Sequence, residues 1–256
     1  MKKYRGIYLK NAAEIGLMRE ANRIVAKILD AIEKEVRPGR PTMFFEQLAE
    51  KMCKEYGVVP AFKGYGGFPY ILCVSVNEVI VHGFPSWAEL KEGDIVSIDM
   101  GVIYDGFYGD AARTFTVGAV SDIATRLLTV TLESLAKGIE QAWPGRRLVD
   151  ISRAVQEHVE ASGLHVVRRF VGHGIGRKLH EKPEVPNFVT EGASEVVLKA
   201  GMTLAIEPMV TVGSPEVEIQ ADRWTAVTRD RSLAAHFEHS IAITPEGPEI
   251  LSASAH

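Results

Sequence analysis

The chain has 256 residues, of which 46% are hydrophobic, and its formal net charge is −4. This size and composition allow a sizeable core in one large or two small domains, and the acidic balance excludes a basic nucleic-acid footprint. No apolar run approaches the roughly 18 residues of a membrane span. Because Met1-Lys2-Lys3-Tyr4 does not lead into a signal-peptide apolar stretch, we expect a cytoplasmic protein.

Two helices and two strands are predicted in the first third of the chain. Apolar residues recur at helical spacing from Asn11 to about residue 35, with Asn11 as N-cap and Glu14 three residues later. A second helical pattern runs from about Thr42 to Gly57. Strand-like runs follow at 71–76 and 79–81 and lead to His82.

The two cysteines give no sign of a disulfide or a metal site. Cys53 falls in a helical pattern and Cys73 in a strand pattern, without the spacing of a metal motif. Both are expected to be free thiols in a reducing compartment.

The stretch 93–110 predicts a hairpin that brings two carboxylates together. Asp105 and Gly106 lie between two β-rich runs, which favours a tight turn. If the turn is centred on Tyr104 and Asp105, Asp99 lies directly opposite Asp110 on one face. Opposed Cβ atoms are about 5 Å apart, so the acids need a shared proton or a cation. A metal is favoured if further ligands exist, whereas either acid alone indicates a turn or cap residue.

The second half of the chain repeats the pattern of the first. Ser121 caps a helix that runs to about residue 142, Pro144-Gly145-Arg146 interrupts it, and a further helix ends near residue 163. Leu90-Lys91-Glu92-Gly93 resembles a segment that starts 108 residues later at Leu198. We therefore predict one catalytic domain, 1–256, with two related α/β halves at about 11–118 and 121–250 and a site between them.

Further candidate ligands lie in the second half. His173 is surrounded by glycines at 172, 174 and 176, which suits a tight turn near something bound. A phosphate loop is disfavoured because no long helical pattern follows. His180 comes seven residues later in a proline-rich loop. Glu207 and Glu238 lie in apolar strand patterns, where a charge is costly unless it is paired or bound to metal.

Two Asp, two Glu and one His form an oxygen-rich set that suits two divalent ions about 3.5–4 Å apart. Such a pair of ions supplies a hydroxide nucleophile at neutral pH. The alternative is a group of acids neutralised by arginines, for which Arg113 is the only nearby candidate on the hairpin.

Taken together, these motifs resemble type I methionine aminopeptidases. The resemblance covers nearly the whole chain and lies in His82-Gly83, the eleven-residue step from Asp99 to Asp110, Gly-His173-Gly-Ile-Gly with His180-Glu181, Ile206-Glu207-Pro208, and Phe237-Glu238-His239. It implies an α/β pita-bread fold, with two pseudo-symmetric halves of antiparallel sheet covered by helices and the site between them.

The resemblance also implies a role for each candidate residue. Two divalent ions (Mn, Fe, Co or Zn) would be bound by Asp99, Asp110, His173, Glu207 and Glu238, with Asp110 and Glu238 bridging them. His82 and His180 would contact the peptide, with His180 supporting the transition state, and Glu207 would move the proton from water to the leaving amine. The methionine side chain would lie against Phe62, Tyr65, Phe68, Cys73, Leu179 and Trp224.

The remaining histidines are given structural interpretations. His158 falls on the apolar face of its helix and is expected to pack in the core. The others match no ligand position and are expected to be structural or surface residues: His165, His236, His239 and His256.

The predicted function is hydrolytic removal of the initiator methionine from new chains whose second residue is small. One alternative is a prolidase or Xaa-Pro aminopeptidase, which usually carries an extra N-terminal domain, whereas about ten residues precede the first helix here. Another is a non-catalytic relative that binds ribosomes or RNA, which would be expected to lose ligands. The 27-residue step from His180 to Glu207 leaves no room for the type II insertion. We expect a monomer that acts on N-terminal peptides, with at most transient ribosome contact and no nucleic-acid specificity or membrane.

Overall fold

The computed structural model describes residues 2–190 and 196–254. Within them lie four α-helices, α1 Ala12–Glu33, α2 Met43–Tyr56, α3 Asp122–Ile139 and α4 Leu148–Ala161, and a short 3₁₀ helix, Tyr65–Gly67. The strands are β1 Lys2–Tyr4, β2 Ile7–Leu9, β3 Val59–Pro60, β4 Leu72–Val76, β5 Val79–Val81, β6 Ile95–Tyr104, β7 Phe107–Thr116, β8 His165–Val166, β9 Gly172–Gly174, β10 Glu181–Val185, β11 Thr203–Ile206, β12 Met209–Thr211, β13 Val217–Ile219, β14 Ala226–Thr228, β15 Ala234–His236, β16 Glu238–Thr244 and β17 Gly247–Ile250.

The helix boundaries follow the predicted capping residues. The Asn11 side chain accepts the Glu14 N–H at 2.9 Å, and the Glu14 carboxylate accepts the Asn11 N–H at 3.1 Å, which completes a capping box. α2 ends at Gly57, whose φ of +66° terminates the helix in the left-handed region. Ser121 caps α3 as predicted, and the helix ends at Ile139 rather than at about residue 142.

One antiparallel sheet carries the site. In the described part of the chain its strands run in the order β10-β9-β11-β16-β7-β6-β3, with β17 beside β16 and β4 beside β6. Helix α1 packs against β6 and β7, whereas α3 packs against β11, β12, β15 and β16 and against α4. Antiparallel sheets covered by helices are the predicted α/β class, whereas the limits of the two halves stay a prediction.

The two largest apolar cores of the described residues lie beneath the helices. The first joins α1 and α2 to β4 and β6 through fully or almost fully buried side chains, among them Ile28, Leu29, Phe45, Leu72 and Ile98. The second joins α3 and α4 to β11 and β16, among others through Leu135, Ile151, Leu204, Ile241 and Ile243. Burial of each such side chain contributes about 1.5–3 kcal/mol relative to exposure, so the cores fix the strands between them.

Helix α1 lies unusually close to β7 at the position of one predicted ligand. A Cβ at Gly109 would lie 2.7 Å from the backbone of Ala21, so glycine permits this approach. The fully buried Asn22 side chain then accepts the Asp110 N–H at 3.1 Å and donates to the Met18 carbonyl at 2.9 Å. The helix therefore fixes the backbone that carries Asp110.

The β6–β7 hairpin differs in register from the prediction. Asp105 and Gly106 have φ values of +46° and +76°, and they are the two residues between the paired strands, one position later than predicted. Asp99 consequently pairs with Ala112 rather than with Asp110, so the predicted direct opposition is wrong. Because the pairing is displaced by two residues, the alternation of faces is kept, and both acids share a face as diagonal neighbours.

The glycines around His173 lie in a strand and not in the predicted turn. Strand β9 is held between β10 and β11, and a Cβ at Gly172 or Gly174 would clash with the carbonyl oxygen of Ala205 or Lys182. The glycines therefore permit close approach of neighbouring strands. The predicted proline-rich loop is also wrong from residue 181 on, because Glu181–Val185 form β10, which begins directly after His180.

Outside the site, one histidine prediction is wrong. His158 is half-buried at the contact between α3 and α4, with Nε2 2.9 Å from Glu133 Oε2, because α4 turns it toward the edge of the helix pair instead of the core. His165 is exposed, His239 contacts Ser252 at 2.8 Å, and His256 lies outside the described residues.

Both cysteines are buried free thiols, as predicted. Among residues 2–190 and 196–254, no helix is long and apolar enough to cross a membrane.

Candidate active site

The central strands of the sheet place four carboxylates on one face. Ala112 of β7 pairs with Asp99 of β6 on one side and with Glu238 of β16 on the other. Asp110 lies two residues before Ala112, and Glu207 directly follows β11. Since side chains alternate along a strand, Asp99 and Asp110 face away from the helix-covered core that contains the neighbours of Asp99.

Three of the predicted ligands meet in a compact group. One ligand atom each from Asp110, His173 and Glu238 lie within 4.8 Å of one another, and all three residues are buried. Asp99 and Glu207 line the same cavity, and Glu207 Oε1 is 3.5 Å from His173 Nε2.

The acids of this group carry unsatisfied oxygens. Asp99 Oδ1, Asp110 Oδ1 and Glu238 Oε1 are buried and have no hydrogen-bond partner among the described residues. Buried carboxylate oxygens without partners are costly, and a divalent cation with oxygen preference satisfies them. The donor set therefore fits a divalent metal.

The arginine alternative does not fit this geometry. Arg113 Nη1 pairs with Asp30 at 2.6 Å. Within the described parts of the chain, no Lys or Arg nitrogen pairs with a carboxylate oxygen of the four acids within 4 Å, and Asp110 and Glu207 lie beside histidine nitrogens instead.

Loss of water raises the pKa of all four carboxyl groups. Burial, with Glu207 nearby, raises the pKa of Asp99 from its ordinary 3.8 to about 7, and burial raises that of Glu207 from 4.5 to about 8. The pKa values of Asp110 and Glu238 lie well above their usual range, through burial and then through the neighbouring acids. Four negative charges are therefore unfavourable here without a cation.

The orientation and protonation state of the His173 imidazole suit a metal ligand. Its Nδ1 lies 3.0 Å from the Gly174 carbonyl oxygen, so the N–H at Nδ1 donates there and Nε2 keeps its lone pair toward the acids. Burial, together with His180, lowers the pKa of His173 to about 3, so the ring is neutral.

Two further histidines face the cavity. His180 Nδ1 lies 2.7 Å from the Tyr65 hydroxyl, and the His180 ring meets the edge of the His173 ring at 4.3 Å. A Tyr65 hydroxyl that donates to Nδ1 leaves the proton on Nε2, where it can donate to a substrate. His82 has a φ of +60°, and strained backbone of this kind clusters at functional sites. Burial lowers the pKa of His82 to about 4.

The cavity beside the acids has a volume of about 190 Å³. Its apolar wall includes Phe62 and Leu179, which pack in one cluster, and Trp224 lies edge-on to Phe68 at 5.1 Å. Every site residue predicted from the sequence lines this cavity: Phe62, Tyr65, Phe68, Cys73, His82, Asp99, Asp110, His173, Leu179, His180, Glu207, Trp224 and Glu238.

Ligand candidates and substrate-side residues occupy different parts of the fold. The four acids and His173 lie on strands or directly after one. Apart from Cys73 on β4, the others lie in the segments that connect strands: Phe62, Tyr65, Phe68, His82, Leu179, His180 and Trp224.

Two residues to which the sequence analysis gave no role at the site contact Glu207. His236 Nε2 lies 3.5 Å from Glu207 Oε2 and is buried, and Asn187 Nδ2 donates to the Glu207 carbonyl at 2.9 Å. His236 follows two alanines and lies two positions before Glu238, and this pattern in the sequence could have indicated a role at the site. Asn187 carries no comparable signal.

The chain belongs to metallopeptidase family M24, whose sequence profile matches residues 16–245. It is therefore a metal-dependent hydrolase, as predicted. It is 53% identical over 246 residues to a methionine aminopeptidase of Clostridium perfringens, across 96% of this chain and 98% of that protein.

Solved structures show the same likeness. The methionine aminopeptidase of Thermotoga maritima matches with a TM-score of 0.94 at 49% identity, over 97% of this chain and 100% of that chain. The prolidase of Pyrococcus furiosus matches with a TM-score of 0.77 at 23% identity, over 97% of this chain and 66% of that chain, which shows a shared fold only. These neighbours confirm the predicted pita-bread fold.

Proposed function

We propose that this chain is a methionine aminopeptidase that removes the initiator methionine from nascent chains whose second residue is small. The observation that carries this proposal is an apolar cavity that ends against a buried acid cluster. Its volume of about 190 Å³ lies below the roughly 300–1,000 Å³ of most small-molecule sites, which suits a single side chain. A methionine there brings its peptide bond beside the acids.

Five residues would hold two divalent ions: Asp99, Asp110, His173, Glu207 and Glu238. This proposal is supported by the ligand atoms of three of them, which lie within 4.8 Å of one another, and by the buried carboxylate oxygens that lack hydrogen-bond partners. Ions bound there would lower the pKa of water and polarise a peptide carbonyl. Availability in the cell selects among Mn²⁺, Fe²⁺, Co²⁺ and Zn²⁺ more than affinity does.

Residues of the chain carry out the proton transfers. Glu207 takes the proton from the attacking water and delivers it to the leaving amine, with its carboxylate held beside His236 and its backbone held by Asn187. The Nε2–H of His180 donates to the peptide oxygen as negative charge develops there. His82 contacts the peptide from a segment that follows β5.

The two alternative functions have weaker support. The likeness to the prolidase is far lower in sequence identity than the likeness to the methionine aminopeptidases, and it shows a shared fold alone. A non-catalytic protein would not need all five ligand residues to face one cavity beside two further histidines, His82 and His180, whose pKa values are lowered by burial.

A peptide panel tests the proposal. The chain is stripped with a chelator, reconstituted with each of the four metals, and assayed for release of the first residue from Met-Ala-Ser, Met-Phe-Ser, Leu-Ala-Ser and Ala-Pro-Ser. We expect metal-dependent turnover that is fastest for Met-Ala-Ser. Preference for Ala-Pro-Ser would instead establish an Xaa-Pro peptidase, and lack of turnover with every metal would establish a binding protein.

We propose that the protein acts in the cytoplasm, where nascent chains arise, as a monomer with transient ribosome contact. Size-exclusion chromatography tests the monomeric state, and co-sedimentation with ribosomes tests the ribosome contact. Stable co-sedimentation at physiological salt would contradict the transient contact.

A further inference from the structure

A buried ion pair includes Glu181, the residue that directly follows His180 in the chain. Lys10 Nζ is 2.6 Å from Glu181 Oε2, and the two side chains are only 1% and 5% exposed. Among the described residues, no other pair of a Lys or Arg with an Asp or Glu is buried on both sides to this extent. The pair joins Lys10, which directly precedes the Asn11 cap of α1, to the first residue of β10.

The segment that carries His180 folds around the carboxylate of this pair. Glu181 Oε1 accepts the backbone N–H groups of Arg177 at 2.8 Å and Lys178 at 3.2 Å. A Cβ at Gly176 would lie 2.7 Å from Lys10 Nζ and 2.8 Å from Glu181 Oε1, so glycine leaves the space that the ion pair occupies at the start of the segment. The carboxylate thus fixes the backbone between Gly176 and His180.

Lys10 is itself anchored to the sheet. Its backbone N–H donates to the Gly201 carbonyl at 2.7 Å, and the Gly201 N–H donates to the Ile243 carbonyl of β16 at 2.8 Å. The position of the ammonium group is therefore set by the strand that also carries Glu238. The His180 imidazole itself contacts the Tyr65 hydroxyl and the ring of His173.

Stability is a weak explanation for such a pair. Removal of two charges from water costs several kcal/mol for each ion, and apolar replacements of buried pairs are often neutral or stabilising. Burial lowers the pKa of Lys10, which reflects this cost. Geometry gives a better explanation, because the pair lies one residue from a group that must meet the substrate within about 0.5 Å.

We infer that Lys10 and Glu181 are positioning residues that hold the 176–181 segment so that His180 Nε2 reaches the peptide oxygen. This inference rests on the proposed function, in which His180 is the transition-state donor. Neither residue lines the cavity, so both would act through His180.

Lys10→Met tests the inference, because it keeps the length of the buried stem and removes the charge. We expect kcat for Met-Ala-Ser to fall by about 10- to 100-fold, since a displacement of about 1 Å costs on this order, whereas KM and metal content change less than about threefold. Arg40→Met is the matched control. It removes a partly buried ion pair with Glu35, at a position that does not line the cavity, and should leave kcat unchanged.

A double-mutant cycle separates positioning from a structural role. In a His180→Ala background, Lys10→Met should change kcat by less than about twofold, because residues that act through one group are not additive. An undiminished effect in that background, or wild-type kcat in the folded Lys10→Met variant, would overturn the inference.

Two further outcomes are separable. If His180→Ala has wild-type kcat, the proposed role of His180 fails, whereas an impaired His180→Ala beside a fully active Lys10→Met removes the positioning inference alone. If Lys10→Met does not fold, Glu181→Gln is measured in the same cycle. Failure of both variants to fold would show that the pair is a stability element, which also overturns the inference.

Discussion

Metal removal should give this protein an unusual dependence of stability on pH. In the metal-free chain, Asp99 and Glu207 have pKa values of about 7 and 8, against ordinary values of 3.8 and 4.5. At pH values between the ordinary pKa and the raised pKa of each group, the folded chain binds more protons than the unfolded chain. The free energy of unfolding therefore falls as pH rises through this range. Each carboxyl group contributes a slope of about 1.4 kcal/mol per pH unit within its window.

The size of the effect is large compared with the stability of a typical domain. For Asp99 alone, the shift to about 7 corresponds to at most about 4 kcal/mol, and whole domains are stable by only about 5–15 kcal/mol. Asp99→Asn removes that charge and should make the metal-free chain more stable than wild type at pH 8. At pH 5, where the Asp99 carboxyl is already mainly protonated, the difference should be small.

Urea unfolding at pH 5, 6, 7 and 8, with a chelator and with added metal, measures these differences. Asp105→Asn at the hairpin tip is the matched control, because it makes the same substitution at an exposed position in the left-handed region, where Asn is tolerated. It should keep the wild-type slope, and added metal should flatten the slope of the wild type. A metal-free stability that is constant or rises from pH 5 to 8 would refute the desolvated acid cluster.

Three further predictions concern activity. Asp110→Asn should remove nearly all metal-dependent turnover, since Asp110 would be a ligand of both ions. If this variant kept the wild-type rate and still bound two ions by elemental analysis, a site that depends on Asp110 for both ions would be contradicted. His180→Ala should lower kcat by about 10²-fold or more with unchanged metal content, as for loss of one transition-state donor, and loss of metal as well would make it a ligand. Phe62→Ala should reduce the ratio of kcat/KM for Met-Ala-Ser over Leu-Ala-Ser, because a methylene of misfit in an apolar pocket costs about 1–3 kcal/mol. An unchanged ratio would show that Phe62 does not touch the methionine side chain.

Local chemistry made part of this fold predictable. The capping box of Asn11 and Glu14 depends on residues three apart, so it was readable from the sequence and is present in the structure. Ordered motifs likewise led to the residues that line one cavity, from Asp99 to Glu238. Their common position depends on the strand order of the sheet, which the resemblance supplied and periodicity alone could not.

The wrong predictions share a physical reason. The hairpin register depends on which two residues take positive φ, and Asp105 could have been the second of them instead of the first. The glycines around His173 were interpreted as a turn, because a single sequence does not show that the neighbouring strands press on both sides. The burial of His158 depends on how α4 is rotated about its axis where it packs against α3. Each answer lies in contacts with distant segments.

The division between strands and connecting segments has an evolutionary consequence. Since the proposed ligands lie on strands fixed by two apolar cores, the hydrolytic centre is insulated from changes in the connecting segments, which tolerate substitution and insertion better. Replacement of Phe62, Leu179 or Trp224 could redirect the enzyme to another N-terminal residue without rebuilding the centre. A scaffold of this kind can acquire new substrates by small steps, each of which keeps a working hydrolase.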